Sequence, residues 1–241
     1  MNMELNDYNR LAIRYHQTDL KQDKYFSILP TVLQASGALS GKTVLDLGCG
    51  SGFFSRAFAD AGAKSVLGID NSDTQIEMAR KVPRSNTEYL VENVFRGALP
   101  KADIICAPFL VNYLSSKVEL TIFLKSIKEA LTVGGRVIFV IDFPSGRDLK
   151  EYGARKTVHG LYRDGTPMTL ELFDRDQKSI CVLNAYYIEP STFEAVLKEV
   201  GFSVVDKLPP VVSKEGLDMY GDEYWQLYLT DTELGYYRCF R

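Results

Sequence analysis

Apolar residues along the chain switch between two spacings, and the switch points outline its architecture. Leu5, Tyr8, Leu11, Ala12 and Tyr15 recur three and four apart, which predicts an N-terminal amphipathic helix, and a second helix follows over residues 25–35. Residues 43–47 then form a short apolar run suited to a strand. Glycines at 48, 50 and 52 lead from it into a helix whose Phe53, Phe54, Ala57, Phe58 and Ala61 share one face. The alternation repeats: residues 65–69 read as a strand ending at Asp70, and Ser72 with Gln75 three residues later forms a capping box that opens the next helix. Residues 87–91 and 103–106 read as strands. Leu120, Phe123, Leu124, Ile127, Ala130 and Leu131 line one side of a helix that Gly134 and Gly135 are expected to stop. Residues 136–141 are so apolar that both faces of the strand must be covered, as in the centre of a parallel sheet. Strand–helix alternation of this kind predicts a doubly wound, Rossmann-like α/β fold.

The last hundred residues follow another rhythm. Asp164-Gly165 and Asp174-Arg175-Asp176 are turn signals between short β-rich runs, which predicts antiparallel hairpins projecting from the sheet as a lid or substrate wall. Pro190-Ser191 with Glu194 opens a helix that ends at Gly201, and residues 202–208 and 236–240 read as the last two strands. One domain is expected, organised as an N-terminal helical cap (1–40), a ligand-binding core (41–143), a lid insertion (144–188) and the remainder of the sheet (189–241).

Composition narrows the partners. The 241 residues carry 28 basic against 31 acidic side chains, a net charge of -3, and no block of Lys or Arg, so the basic footprint of a nucleic-acid or anionic-membrane binder is missing. The longest apolar runs are strand-length, and the first seven residues show no basic-then-apolar leader pattern, so a cytoplasmic protein without a membrane span is expected. Cys49, Cys106, Cys181 and Cys239 form no C-x-x-C pair and have no histidine at zinc spacing. Buried free thiols and no metal site are expected.

The most informative segment is Val44-Leu45-Asp46-Leu47-Gly48-Cys49-Gly50-Ser51-Gly52-Phe53 at the first strand-to-helix turn. Glycines there let the backbone approach a ligand closely. Asp46, two residues before the loop, repels a pyrophosphate and welcomes a cation. Asp70, at the end of the second strand, is placed to accept from a ribose diol or to cap the following helix. Phe53 stands where a dinucleotide fingerprint needs a small residue, and no Lys follows Gly52 as a Walker loop requires. A ligand with an adenosine and a cationic, amino-acid-like end remains, which describes S-adenosylmethionine.

VLDLGCGSG, GID at 68–70, ENV at 92–94, ADIICAPFLVNYL at 102–114 and LTVGGRVIFVIDF at 131–143, taken in order, resemble a class I S-adenosylmethionine-dependent methyltransferase over about residues 40–143. Residues 8–15 resemble the Y-x-x-[IL]-A-x-x-Y helix of small-molecule members. FLVNYL, residues 162–168 and Trp225 are more weakly similar to the toxoflavin-type enzymes that modify small nitrogen heterocycles. The resemblance implies a seven-stranded, mostly parallel sheet. It implies that Asp46 and the backbone of Gly48, Cys49 and Gly50 hold the methionine end, that Asp70 holds the ribose with Asn71 and Gln75 beside it, and that Asn93 and Val94 flank the adenine. Many relatives carry Asp where this chain has Asn93, so the adenine contact here lacks charge assistance. Ala107 is expected near the sulfonium, and Tyr15 against the cofactor.

Because a sulfonium is already a strong alkyl donor, positioning carries most of the catalysis, and a base matters only where the acceptor must lose a proton. Tyr8 and His159 are the candidates for a catalytic role, Tyr8 by setting its oxygen near the positive sulfur and His159 because imidazole changes charge near neutrality. Asn112, Tyr113, Asp142, Tyr162 and Trp225 are the candidates for contact with a small acceptor, planar and heteroaromatic or polar. Aromatic stripes also fill cores, and Asp142 also suits a turn cap before Pro144. The alternative function is a catalytically silent S-adenosylmethionine-binding regulatory module.

Overall fold

The computed structural model describes residues 6–241, apart from the side chains of Ile13, Asp19 and Leu20; Leu5 of the expected first helix and the leader reading of residues 1–5 lie outside the described residues. Helix α1 covers Tyr8–His16, with the Asp7 carboxylate accepting from the N–H groups of Asn9 and Arg10 as its N-cap. The second expected helix is divided. A π-helical turn, Lys24–Ile28, runs into α2, Leu29–Ser36, whose Pro30 stands in the first turn, where its missing N–H is harmless. From there the chain alternates β1 (Thr43–Leu47), α3 (Phe53–Asp60), β2 (Ser65–Asp70), α4 (Asp73–Arg80), β3 (Thr87–Val91), β4 (Ala102–Pro108), α5 (Lys117–Ala130) and β5 (Leu131–Asp142). The expected glycine stop of α5 is corrected. The helix ends at Ala130, and Gly134 and Gly135 lie inside β5, beside a register shift in its pairing with β4. The β-branched Thr132 and Val133 favour extended backbone directly after the helix.

Four antiparallel strands follow: β6 (Asp148–Leu149), β7 (Ala154–Val158), β8 (Pro167–Phe173) and β9 (Ser179–Tyr186). The chain then returns through α6 (Pro190–Val200) to β10 (Val204–Leu208), and closes with α7 (Lys214–Tyr220), α8 (Asp222–Thr230) and β11 (Leu234–Phe240). The main sheet has the order β10-β11-β5-β4-β1-β2-β3, with β11 antiparallel to both neighbours and the rest parallel. It is an α/β Rossmann-like fold with a separate four-stranded antiparallel sheet. β5 shows no exposure from Val137 to Ile141, as a strand covered on both faces must.

Two helices were not read from the sequence. α7 is capped by the Ser213 hydroxyl, and α8 buries Trp225 and Tyr228 in an aromatic cluster with Phe26 and Tyr152. Among the described residues no helix is long and apolar enough to cross a membrane.

The order of the parallel strands reverses between β1 and β4, so the loops after these two strands open a crevice at the carboxyl edge of the sheet. α1 closes that crevice from above. The Asn6 amide donates to Asn184 O at 2.9 Å and accepts from Asn184 N at 2.8 Å, which ties the start of the chain to β9. Asn9 Oδ1 accepts from Ser72 Oγ at 2.7 Å and from Thr74 N at 3.2 Å, which ties α1 to the start of α4. Tyr8, Leu11 and Tyr15 pack on the apolar face of the antiparallel sheet, against residues such as Leu183 and Ala185.

Candidate functional site

Two cavities meet beneath α1. The outer one has a volume of about 180 Å³ and is bounded by Gly48, Gly50, Asp70, Asn71, Gln75, Asn93, Val94, Phe95, Tyr8 and the turn Pro108–Leu110. The inner one, about 60 Å³, lies between the rim of the main sheet and the antiparallel sheet. Tyr15, Phe109 and Tyr113 line both and form the passage between them.

The glycine loop of the outer cavity is left-handed at Gly48 (φ 64°), Gly50 (φ 53°) and Gly52 (φ 82°). A Cβ at Gly48 would also stand 2.8 Å from Leu110 Cδ2, so glycine is required there for both conformation and space. Asp70 holds the loop in shape. Its Oδ2 accepts from Gly50 N and its Oδ1 from Ser72 N, both at 2.9 Å, and each oxygen keeps a lone pair for a ligand hydroxyl. Burial raises the Asp70 carboxyl above its usual range, against the backbone N–H groups that lower it. Gln75, only 1% exposed, has neither its amide oxygen nor its amide nitrogen hydrogen-bonded among the described residues. Asn93 Oδ1 accepts from Phe95 N at 2.9 Å, so one lone pair of the oxygen expected to meet an adenine amino group is committed to an Asx turn.

Three expected cofactor residues do not reach this wall. Asp46 shows no exposure and lies below the loop. Ser55 Oγ donates to its Oδ2 at 2.5 Å, while Oδ1 is unpartnered, and burial pushes the carboxyl up to about 7. The Cys49 thiol is buried under the loop, where a Cβ on Gly68 would meet it at 2.9 Å. Ala107 shows no exposure, and it is the following turn that faces the cavity. In that turn Phe109 has φ 61°, a left-handed conformation unfavourable for an aromatic residue, fixed by a 2.7 Å bond from its N–H to Val140 O.

On the acceptor side the structure gathers Asn112, Tyr113 and Asp142 and leaves the others out. Asn112 donates to Asp142 O and Tyr186 O and accepts from Asp142 N, tying the main sheet to the end of β9. The phenols of Tyr8 and Tyr113 hydrogen-bond to each other. Burial, and then the neighbouring tyrosines, push the Tyr8 hydroxyl well above its usual range; burial also raises Tyr113, so both are neutral dipoles rather than bases at neutral pH.

Three expectations are corrected. Trp225 is fully buried, its Nε1 donating to Gly216 O at 2.7 Å, and lines neither cavity. Its size and apolar surface are used to seat α8. Tyr162 is 49% exposed, packed edge-on against Tyr187 outside both cavities. His159 shares a hydrogen bond with Thr169 Oγ1 in a surface depression beside Asp164 and lines neither cavity beneath α1. Phe95, Phe109, Lys21, Lys24 and Lys156 line the cavities without having been singled out in the sequence. A Phe forced to positive φ leaves no trace in one sequence, whereas the apolar Phe95 directly after Asn93-Val94 was a usable signal. Among the described residues no group of three His, Cys, Asp or Glu is placed to hold a metal ion.

Residues 44–135 match the methyltransferase domain family. A ubiquinone biosynthesis O-methyltransferase from Bordetella avium is 37% identical over 81 residues, covering 32% of this chain and 33% of that protein. The chain thus matches about a third of the length of this relative. A cypemycin N-terminal methyltransferase from a Streptomyces species is 27% identical over 76% of this chain and 75% of its own. The crystal structure of an S-adenosylmethionine-dependent methyltransferase from Mesorhizobium loti superposes with a TM-score of 0.64 at 18% identity, covering 93% of this chain and 100% of that one. Residues 44–135 therefore carry the sequence of a methyltransferase domain, and the chain around them has the fold of the S-adenosylmethionine-dependent methyltransferases.

Proposed function

We propose that this protein transfers a methyl group from S-adenosylmethionine to a small acceptor. The observation that carries the reading is the pair of joined cavities: one wall of glycine loop, Asp70, Asn93 and Val94, opening past Tyr15, Phe109 and Tyr113 into a second, smaller cavity. The residues present fit the cofactor. Left-handed glycines offer close backbone approach, Asp70 keeps lone pairs for a diol, and the Gln75 amide, which has no partner among the described residues and lines the outer cavity, is the kind of buried polar group that a polar ligand satisfies. S-Adenosylmethionine supplies an activated methyl group. The chain's own task is to align an acceptor with it and exclude water, which supplies about 7–11 kcal/mol when the alignment is good. Tyr8, Tyr15 and Tyr113 stand at the passage, where phenol oxygens and ring faces stabilise positive charge.

An inner cavity of about 60 Å³, between α1 and the antiparallel sheet, supports a small acceptor rather than a polymer. Its aromatic entrance favours a planar acceptor. Within that class we favour a nitrogen heterocycle, on the weak similarity to the toxoflavin-type enzymes. Two measurements test the reading. S-Adenosylhomocysteine binds the wild-type protein, and Asp70→Ala weakens it; label from methyl-labelled S-adenosylmethionine appears in a low-molecular-weight product of a metabolite extract. Failure to bind the nucleoside at millimolar concentration, or binding indifferent to Asp70→Ala, removes the proposal.

A further inference from the structure

The size of the inner cavity limits what can enter it. At about 60 Å³ it has the room of roughly two water molecules, well under the roughly 150 Å³ of a hollow that accommodates a benzene ring. A ring does not fit, and a polar group of about three heavy atoms does. Such a group stands just past Tyr15, Phe109 and Tyr113, with the rest of its molecule at the passage, where these three side chains line both cavities.

The lining selects the group. One part of it, Ala154, Leu170, Leu172, Leu183 and Ala185, is apolar and comes from the antiparallel sheet. Against it stand two buried ion pairs. Lys21 Nζ lies 3.3 Å from Asp23 Oδ1, and Lys156 Nζ lies 3.0 Å from Asp142 Oδ1 while also donating to Glu233 O at 2.8 Å. The charges of these pairs cancel. Lys24, the third lysine of the lining, is held over the rings of Tyr15 and Phe53, 5.5 Å and 4.9 Å from their centroids. An entering ion of either sign sheds its water to meet an attracting and a repelling charge in each pair, a desolvation that nothing there offsets. A neutral group escapes that cost. It can still use the ion pairs, because an ammonium has more N–H donors, and a carboxylate more lone pairs, than these contacts occupy, and hydrogen bonds between a charged and a neutral partner are strong ones.

Thr18 is an independent sign of a ligand. It lines the cavity at 2% exposure, and its Oγ1 has no partner among the described residues, a buried hydroxyl able both to donate and to accept. Donors and acceptors therefore stand side by side over an apolar floor, which is the complement of a flat group that itself carries one of each.

We infer that the inner cavity is the subsite for an uncharged, planar N–C=O group of the acceptor, a carboxamide, with its carbonyl accepting from Thr18 and the lysine ammonium groups and its N–H donating to a carboxylate. The inference rests on the methyltransferase reading and names the acceptor class for it: a small molecule whose carboxamide enters first and whose nucleophilic atom stays at the passage, facing the outer cavity. The carboxamide takes no part in the bond changes. Its anchoring fixes how far the nucleophilic atom stands from the methyl group, and alignment of that kind is the chain's main contribution to such a transfer.

The test uses the full-length protein saturated with S-adenosylhomocysteine and three probes of one shape, titrated calorimetrically at neutral pH: benzamide, which is uncharged, benzoate, an anion, and benzamidinium, a cation. Benzamide is expected to bind about tenfold tighter than either ion. Thr18→Val keeps the shape of the side chain and removes its hydroxyl. It is expected to weaken benzamide about fivefold and Thr18→Ser to restore it, with S-adenosylhomocysteine binding equal in all three proteins, since Thr18 does not line the outer cavity. Benzoate or benzamidinium binding as tightly as benzamide, benzamide binding indifferent to Thr18→Val, or no probe binding a protein that holds S-adenosylhomocysteine overturns the carboxamide subsite while leaving the methyltransferase reading intact. Should Thr18→Val fail to fold, the ranking of the three probes on the wild-type protein decides alone. Failure of S-adenosylhomocysteine itself to bind the wild-type protein brings down both.

Discussion

Asp46 is the residue whose state is most exposed to a direct test. It is fully buried, accepts from Ser55 Oγ, leaves Oδ1 without a partner among the described residues, and has its carboxyl pushed from 3.8 up to about 7, chiefly by burial and against the hydrogen bonds from the Ser55 side chain and backbone. An acid raised in the folded state binds more protons folded than unfolded. Below pH 3.8 it imposes no penalty; the penalty grows as pH rises, and is complete above about 7. At about 1.4 kcal/mol per pH unit the full penalty is about 4 kcal/mol. Asp46→Asn replaces the carboxylate by a neutral group of the same shape, but buries an amide NH2 at a cost of about 2 kcal/mol. The net gain near pH 8.5 is then about 2 kcal/mol, a rise in Tm of roughly 4–8 °C for a chain of this length. Near pH 5 roughly a third of the penalty is present, and the gain vanishes. Calorimetry of both proteins at the two pH values checks it. A variant that is no more stable than wild type at the alkaline pH, or equally stabilised at both, would refute the idea that the loop rests on an ionised, poorly solvated acid.

Further predictions follow from the same geometry. Asp70→Ala removes the acceptor for Gly50 N and Ser72 N and should weaken S-adenosylhomocysteine about tenfold to a hundredfold by titration calorimetry, two charge-assisted bonds being at stake. Gly48→Ala combines positive φ with a 2.8 Å approach to Leu110, whereas Gly62→Ala has positive φ and open space; the first should abolish nucleoside binding, and both should cost about 1–2 kcal/mol in denaturant unfolding. Trp225→Phe strands Gly216 O and should destabilise by about 1–3 kcal/mol while leaving the S-adenosylhomocysteine dissociation constant unchanged. His159→Ala should leave stability within about 0.5 kcal/mol and methyl transfer unaltered; a fall in turnover would return His159 to the site.

How far the site was legible depends on who makes it. The outer cavity is built by consecutive strand–turn units, and each unit writes its own signal: glycines between an apolar run and a helix, an acid at a strand end, Ser72 three residues before Gln75. Local geometry follows local sequence there, so Gly48, Gly50, Asp70, Asn71, Gln75, Asn93 and Val94 line the cavity as the sequence suggested, while Asp46, Cys49 and Ala107 sit beside it with their side chains turned to the other side of the loop or sheet. The inner chamber is different in kind. Lys21 and Lys24 come from the N-terminal segment, Asn112 and Asp142 from the main sheet, Lys156 and Leu183 from the antiparallel one, and no spacing relates them. Each has a bland local reading: a solvated lysine, a turn cap, an alternating strand. Even the tail aromatics misled for a physical reason, since Trp225 and Tyr152 offer the same flat surface to a core as to a ligand, and only the burial of α8 decides between them. The inner cavity, which the proposed function assigns to the acceptor, is therefore the non-local part of the site, held together by bonds such as Asn112 to Tyr186 O and Lys156 to Asp142 that join segments 74 residues apart in the first case and the two sheets in both. A substitution at any of these ties should change which acceptor is accepted before it changes how the nucleoside is bound, because only Tyr15, Phe109 and Tyr113 belong to both cavities.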